Sequence, residues 1–507
     1  MRESIPLTGQ RDCCTRKLCP CCREIPTCGT GFLTLSQAYG ERAVPAIHSM
    51  SAFATGCHGG SEVNEVLAAD ASPEKRLFIS LLTRDIPLVA AFLDLVDNSI
   101  NAAAEPYAAR LKTAHDYLKL KDDPKVKPSA SISLEISDQS VVIVDTATGI
   151  SAQTAKDHVF KFGRGDEPAS VTDRLSVYGI GLKRAIFKLG NVIHMRSDHV
   201  DGGFDLALNV SEWSKVKGSE WTFKITKRDP VPAGETGTTI TVTELYDEVK
   251  RRVNDGVFDG QLRDAISRTY SYYLGKLVTI SLNDEQVEGT SIDLSENHAT
   301  KQVKINDVTC TISAGLGVPV AGKYREKSSG WFVFCNGRAV VSADKTALTG
   351  WGGGAIPIFQ PKHRPFLGTV FFVAEDPEKL PWTTTKSGIN EDSSTWQTAK
   401  REMAAVGREV VSYLDSRYSD VGTEVDANDL QTASGPERVS VLAAAVAKPK
   451  AFKTPKRKVI PTVKIQYDAL MPEVEKIAKH LKKPGMSGSD VGRHTFNYFL
   501  RNEVGET

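Results

Sequence analysis

The sequence lacks long apolar runs. No stretch approaches the roughly 18–20 uninterrupted apolar residues that a membrane-spanning helix needs, and the run at 441–447 is typical. The first thirty residues carry charges and cysteines where a secretory signal would carry an apolar core. We therefore expect a cytoplasmic protein with no membrane association.

A charge excess of one sign is also missing. The chain has 63 Lys and Arg against 62 Asp and Glu, a net charge of +1, which predicts no general attraction to polyanions. One local exception lies between residues 438 and 467, which contain no acidic residue. Its eight basic residues are Arg438, Lys448, Lys450, Lys453, Lys456, Arg457, Lys458 and Lys464. Two interpretations stay open, a solvated linker and an arm that binds DNA.

The nine cysteines do not suggest a chain-wide disulfide framework, because six of them crowd the first 28 residues. These six are Cys13, Cys14, Cys19, Cys21, Cys22 and Cys28. One C-x-x-C pair is present, and Cys28 or the Cys57-His58 pair could complete a zinc site. An unstructured reduced leader is the alternative, and Met50 is a candidate natural start.

At 507 residues, the chain exceeds the roughly 250–300 at which one hydrophobic core stops growing, which predicts two or more domains. Shifts in periodicity and composition predict five segments. They are an irregular leader at 1–70, a first α/β domain at 71–250, a second domain at 251–425, a basic linker at 426–467 and a helical tail at 468–507. In the second domain we expect helices at 261–274 and 395–417, and strands at 278–282, 331–334, 339–341 and 368–374.

An apolar helix predicted at 88–103 carries a second, polar stripe. Asp94, Asn98 and Asn101 recur at helical spacing within otherwise apolar sequence. Such groups are costly to bury unless they meet partners or a ligand. A solvent-facing stripe remains the alternative interpretation.

Two further motifs are typical of nucleotide binding. The strand predicted at 140–145 ends at Asp145, a carboxylate that can accept a hydrogen bond from an exocyclic amine. The glycine turn Gly179-Ile180-Gly181 opens a helix, and free N–H groups at a helix start favour phosphate. The sequence has neither the Rossmann fingerprint nor the GxxxxGK[ST] loop. Each motif alone is also compatible with an ordinary turn.

The order of the motifs is more specific than any one of them. It is Asp94-Leu-Val-Asp97-Asn98, then Asp145-x-Ala-x-Gly149, then Phe162-Gly163-Arg164-Gly165, then Tyr178-Gly179-Ile-Gly181-Leu182-Lys183, then Gly237-Thr238. This order resembles the GHKL ATPase superfamily of gyrase B subunits, MutL and MORC proteins, large heat-shock chaperones and histidine kinases. The FG element resembles MORC most. The turn Asn336-Gly337-Arg338 resembles the transducer domain of MutL and gyrase.

The resemblance implies an α+β fold, with a Bergerat-type α/β sandwich followed by a ribosomal-protein-like α/β transducer domain. It also implies ATP and Mg²⁺ as ligands. Asp94 would be the general base, Asn98 the Mg²⁺ ligand and Lys386 a cation at the γ-phosphate. Asp145 would bind the adenine amine with support from Thr238. Residues expected around the phosphates or in the lid are Gly149, Phe162, Gly163, Gly179, Gly181, Leu182 and Lys183.

Three positions depart from the family pattern. Asp94 stands where the base is usually Glu, Ala147 where the adenine motif usually has its first glycine, and Asn101 where an Asp is customary. Because the base is shorter, we expect slow hydrolysis, whereas the Mg²⁺-binding Asn98 and the adenine-reading Asp145 that nucleotide binding needs are retained. The favoured function is an ATP-gated homodimeric clamp acting on DNA. A chaperone-like remodelling ATPase, a protein kinase and a nucleotide sensor with little turnover stay open.

Overall fold

The computed structural model divides the chain into two units, Met1–Asp70 and Ala71–Thr507. The structure describes residues 74–110, 116, 119, 123, 125–163, 175–176, 179–216, 221–319, 323–421, 438–455 and 463–505, all of which belong to the second unit. The predicted leader and its cysteine cluster lie outside these residues. Within them, none of the helices combines the length and apolar character needed to span a bilayer.

An eight-stranded sheet forms the first half of the described unit. Its strand order is β5-β4-β3-β6-β2-β1-β7-β8. The strands are β1 Ala130–Ile136, β2 Ser140–Asp145, β3 Gly190–Asp198, β4 Phe204–Asn209, β5 Ile225–Lys227, β6 Gly237–Leu245, β7 Val278–Leu282 and β8 Glu285–Gln286. Only the β1·β7 pair is parallel in this sheet.

The helices of this half pack with the sheet into one apolar core. They are α1 Lys75–Thr83, α2 Leu88–Ala104, α3 Ala152–Thr154, α4 Gly181–Leu189, α5 Val210–Lys215, α6 Asp247–Val253 and α7 Phe258–Thr269. Helix α2 is central, contacting α4, α7 and β1. Thirteen of its 17 residues are buried, so its polar side chains must find partners inside the protein.

The second half is built on a six-stranded sheet of order β12-β11-β13-β10-β9-β14. The strands are β9 Asp293–Ile305, β10 Val308–Gly317, β11 Gly330–Cys335, β12 Arg338–Asp344, β13 Phe366–Val373 and β14 Arg438–Ser440. Strands β11 and β13 are buried throughout, as expected for strands covered on both faces. The long helix α8, Ser394–Val421, packs on β9, β10 and β13.

The hairpin predicted around Asn336-Gly337 is confirmed. Strands β11 and β12 are antiparallel, and the two turn residues have φ values of 47° and 88°. Asn and Gly tolerate this left-handed region, which suits a tight turn between twisted strands. The predicted strand at 278–282 is also present as β7, but it pairs in parallel with β1, with Ala130 opposite Val278. The first sheet therefore continues beyond the boundary predicted at 250.

Residues 438–455 differ from the solvated linker predicted from the sequence. Strand β14 pairs with β9, and Lys450 exchanges two backbone hydrogen bonds with Thr300, at 2.7 and 2.9 Å. Helix α9, Val441–Ala445, and Phe452 add buried apolar surface, which fixes this segment on the second sheet. Lys456, Arg457 and Lys458 lie outside the described residues. The predicted tail contains α10, Met471–His480, and α11, Gly488–Phe499.

Candidate functional site

Asp94 lies in the middle of α2 and is paired with Arg184 of α4. The Asp94 Oδ2 atom accepts hydrogen bonds from Arg184 Nε at 2.7 Å and from Nη2 at 2.6 Å. Both side chains are almost completely buried. Asp94 Oδ1 has no hydrogen-bond partner among the described residues. Arg184 thus fixes one carboxylate oxygen, and the other can still accept a hydrogen bond or a proton.

Lys386 reaches this helix from the loop that precedes α8. Its Nζ lies 2.5 Å from Asp97 Oδ2 and 3.5 Å from Asp94 Oδ1. The side chain is buried, and the backbone adopts a φ of 52°, which is uncommon for a residue other than glycine. The two halves of the described unit therefore meet at the helix that carries the predicted base.

Asp97 was part of the predicted motif, but no role was predicted for it. Arg338 Nε donates to its Oδ1 at 3.0 Å, and the Tyr270 hydroxyl shares its proton between the same oxygen, at 2.8 Å, and the Leu93 carbonyl oxygen, at 2.7 Å. Burial opposes ionisation of Asp97, yet the charges of Arg338 and Lys386 outweigh it, so its pKa lies below the usual value. Arg338 directly follows the Asn336-Gly337 turn. That turn was the one feature of the sequence that could have pointed to Arg338 as a partner of Asp97.

The charges around these two carboxylates do not balance. Three buried cations, Arg184, Arg338 and Lys386, face Asp94 and Asp97. Over the described part of the chain, this cluster therefore carries one surplus positive charge. Because a buried charge is costly unless it is paired, the cluster favours an anionic ligand at the free edge of Asp94.

Asn98 and Asn101 face the short stretch at 175–176. Asn101 Nδ2 donates to Ser176 Oγ at 3.0 Å, and its Oδ1 accepts from the Leu175 N–H at 3.2 Å. Asn98 Oδ1 has only a long contact of 3.4 Å from Ser176 Oγ, and its Nδ2 is buried without a partner in the described chain. Asn101 is thus engaged in positioning the backbone, whereas Asn98 retains capacity for a ligand.

Asp145 lies at the end of β2, directly opposite Thr238 of β6. Its Oδ2 accepts from Ser99 Oγ at 2.7 Å, and its Oδ1 accepts from the N–H groups of Ala147 at 3.1 Å and Thr238 at 3.3 Å. Burial raises its pKa in spite of these hydrogen bonds. A carboxylate has about four acceptor positions, so one remains for an amine. Ser99 follows Asn98 in α2, so the predicted adenine-binding Asp145 contacts the helix next to the predicted Mg²⁺ ligand Asn98.

The small residues after Asp145 are needed for the close approach of two backbones. Gly149 has a φ of 70°, and a Cβ at this position would lie 2.0 Å from the Asp198 carbonyl oxygen. Ala147 is buried, and its carbonyl oxygen accepts from Thr236 Oγ1 at 2.7 Å. The loop therefore accepts the alanine that departs from the family pattern but requires glycine at 149.

The turn before α4 places Gly181 against the predicted base. Gly179 has a φ of 62°, and a Cβ at Gly181 would lie 3.6 Å from Asp94 Cγ. Leu182 is buried in the first core, so only its backbone is available to a ligand. The free N–H groups at the start of α4 thus lie beside Asp94, where an anion would also meet the surplus positive charge.

Lys183 is placed differently from the expectation that it lies free beside phosphates. Its Nζ donates to the carbonyl oxygens of Val159 at 2.7 Å and Lys161 at 2.6 Å and lies 5.6 Å from the centre of the Phe162 ring. Burial lowers its pKa to about 8. Lys183 therefore holds the start of the predicted lid. Gly163 is described, whereas Arg164, Gly165 and Tyr178 lie outside the described residues.

The start of the lid rests on an aromatic cluster. Phe162 packs edge-to-face on Phe78 of α1 at 4.8 Å and on Trp221 at 5.7 Å, and it stacks on Phe187 of α4 at 6.5 Å. Such pairs stabilise by roughly 0.5–1.5 kcal/mol beyond the buried area. Helix α1 and helix α4 therefore jointly fix where the lid leaves the core.

Comparison with known families agrees with this geometry. Residues 86–236 match the family model described as histidine kinase-, DNA gyrase B-, and HSP90-like ATPase. This stretch begins just before α2 and ends just before β6, so it includes Asp94, Asn98, Asp145 and the α4 turn. A comparison with curated proteins gives no match. Residues 86–236 are therefore similar to the ATPase domain of the GHKL superfamily.

Proposed function

We propose that the protein binds ATP with Mg²⁺ and hydrolyses it, and that it acts as an ATP-gated dimeric clamp on DNA. The observation that carries the proposal is the convergence on α2. Asp94, Asn98 and the Asp145 partner Ser99 lie within six residues of one helix, and Lys386 reaches it from the loop before α8.

The residues would divide the work along the nucleotide. Asp145 would accept the adenine amine, and the start of α4 would bind phosphate oxygens through its N–H groups. Asp94 Oδ1 would take a proton from the attacking water, since its other oxygen is held by Arg184. Lys386 would neutralise charge that develops on the terminal phosphate.

The residues fit a magnesium ion of the kind that accompanies nucleotides. Mg²⁺ commonly takes one or two protein oxygens and completes its shell with phosphates and water. Asn98 offers such an oxygen, and the described residues contain no group of three acidic, His or Cys ligands that would form an all-protein site. When bound, the ion would shield phosphate charge.

Slow turnover follows from the shorter base. Asp94 is one methylene shorter than Glu, and a misplacement of about 1 Å can cost on the order of a hundredfold in rate. The ion pair with Arg184 prevents Asp94 from swinging forward to recover that distance. We therefore propose that the protein binds nucleotide but hydrolyses it slowly.

The second sheet is proposed as the transducer of a clamp. Lys386 and Arg338 connect it to α2, so a nucleotide that moves Lys386 would act on both halves. Exposed lysines at 448 and 453 lie beside the second sheet and support contact with DNA. A protein-remodelling ATPase is the alternative, because the same coupling could act on a protein client.

The test compares the parent chain with Asn98→Ala, using the exposed Asn254→Ala as the matched control. We expect Mg²⁺-dependent phosphate release by the parent and the control and its loss in Asn98→Ala. Added DNA should raise the rate, and the effect should fall steeply with salt because phosphate contacts release counterions. Mass measurement with a non-hydrolysable analogue should give a dimer. Equal turnover by parent and Asn98→Ala would reject the proposal.

A further inference from the structure

The buried network at Asp97 has one exchangeable partner. Arg338 and Tyr270 both bind Oδ1, whereas Lys386 binds Oδ2. The three partners come from the second sheet, the end of α7 and the loop before α8. If Lys386 left, the carboxylate would keep a full cation and a hydroxyl, so its charge would remain paired.

We propose that Asp97 stores Lys386 in the nucleotide-free protein, and that this ion pair sets the discrimination between nucleoside triphosphates and diphosphates. The inference rests on the proposed function, because it requires a nucleotide beside Asp94. A terminal phosphate draws Lys386 from Asp97, and a diphosphate leaves the pair in place.

Arg338 makes the exchange possible without moving the loop. Its Nη1 donates to the Lys386 carbonyl oxygen at 2.5 Å, and the Lys386 N–H donates to the Thr383 carbonyl oxygen at 2.8 Å. Both backbone groups of Lys386 are thus fixed in the left-handed conformation. Only the four-carbon side chain has to swing, which costs little reorganisation.

The direction of the swing follows from the position of Asp94. Lys386 Nζ already lies 3.5 Å from Asp94 Oδ1, the oxygen proposed to activate water. The phosphate under attack must lie close to that oxygen. A diphosphate lacks this group, so it offers Lys386 no competing anion and leaves the Asp97 pair intact.

The experiment measures Kd for ADP and for a non-hydrolysable ATP analogue in Asp97→Asn and Tyr270→Phe. Asp97→Asn removes the competing charge, so we expect analogue affinity to rise about tenfold, as for a charged hydrogen bond, with ADP affinity unchanged. Tyr270→Phe removes a hydrogen bond from Asp97 Oδ1 and keeps the Arg338 bond to the Lys386 carbonyl oxygen, so Asp97 should hold Lys386 more tightly and analogue affinity should fall about fivefold, with ADP again unchanged. A structural role would weaken both nucleotides in both variants.

Opposite shifts that are confined to the triphosphate support the inference, and either variant suffices if the other fails to fold. A shift shared equally by ADP and the analogue, or no shift in a folded variant, would overturn it. Asn98→Ala separates this failure from that of the proposed function. If binding needs Asn98 but the ratio of affinities ignores Asp97, only the inference falls, whereas nucleotide binding independent of Asn98 removes both.

Discussion

Arg184→Met should destabilise the protein far more than the loss of an ordinary surface ion pair. The substitution removes both hydrogen bonds to Asp94 Oδ2 and leaves the carboxylate buried, with Lys386 3.5 Å from its other oxygen. Breaking a buried pair by removing one partner costs about 3–5 kcal/mol. Because Lys386 offsets part of the charge, we expect the lower end, about 3 kcal/mol.

Arg228→Met is the matched control for this prediction. Arg228 also makes two charged hydrogen bonds, to Asp198 at 2.8 Å and to Asp205 at 2.6 Å, but it is a quarter exposed. Pairs of this kind contribute roughly 0–1 kcal/mol. Urea unfolding followed by tryptophan fluorescence should report the difference, because Trp213 and Trp221 belong to the aromatic cluster beside α4.

The double variant Asp94→Leu/Arg184→Met provides the internal check. Replacing both charges by apolar side chains should recover much of the lost stability, since the carboxylate and its guanidinium partner are removed together. Two results would refute the view that Arg184 compensates the buried charge of Asp94. One is an Arg184→Met protein as stable as Arg228→Met, and the other is a double variant no more stable than Arg184→Met.

Four smaller predictions follow from other contacts. Asp145→Asn should raise the unfolding temperature at neutral pH and abolish binding of adenine nucleotides, because burial raises the pKa of Asp145 and disfavours its ionised form. Asp97 has a lowered pKa, so its stabilisation is complete above the usual 3.8 and is lost as pH falls through the folded value, and Asp97→Asn should flatten that acid limb in urea titrations. Lys183→Met should speed hydrogen exchange at 155–163 and remove a rise in stability between pH 8 and 10, since a Lys with a pKa of about 8 stabilises the fold as it loses its proton. Gly149→Ala should fold poorly and lose nucleotide binding, because its Cβ would lie 2.0 Å from the Asp198 carbonyl oxygen, as circular dichroism and a binding titration can check.

Local patterns predicted the elements that carry the candidate site. The apolar period at 88–103 predicted the helix that carries Asp94 and Asn98, although its polar stripe alone was also compatible with a solvent-facing position. The apolar run ending at Asp145 predicted a strand that delivers a carboxylate to its end. The Asn336-Gly337 turn predicted the β11–β12 hairpin. In each case the period or the turn residue acts over a few positions, which a single sequence records.

Long-range partners could not be predicted in the same way. Arg184 lies 90 residues from Asp94, and Arg338 and Lys386 lie 241 and 289 residues from Asp97. The parallel pairing of β7 with β1 leaves no local pattern either. Lys183 shows a related limit, because a motif fixes where a long side chain begins but not which group its ammonium binds.

Helix α2 concentrates the contacts that the molecule needs within one and a half turns. From Asp94 to Ser99 it carries the predicted base with its partner Arg184, the contacts of Asp97 with Arg338 and Lys386, the predicted metal ligand Asn98 and the Ser99 hydrogen bond to Asp145. One residue inserted before Asp94 would rotate this whole set by about 100° relative to the sheet. Insertions in loops leave the helices in place, whereas an insertion in this helix would displace all of these side chains at once. The candidate site would therefore be retained or lost as a whole.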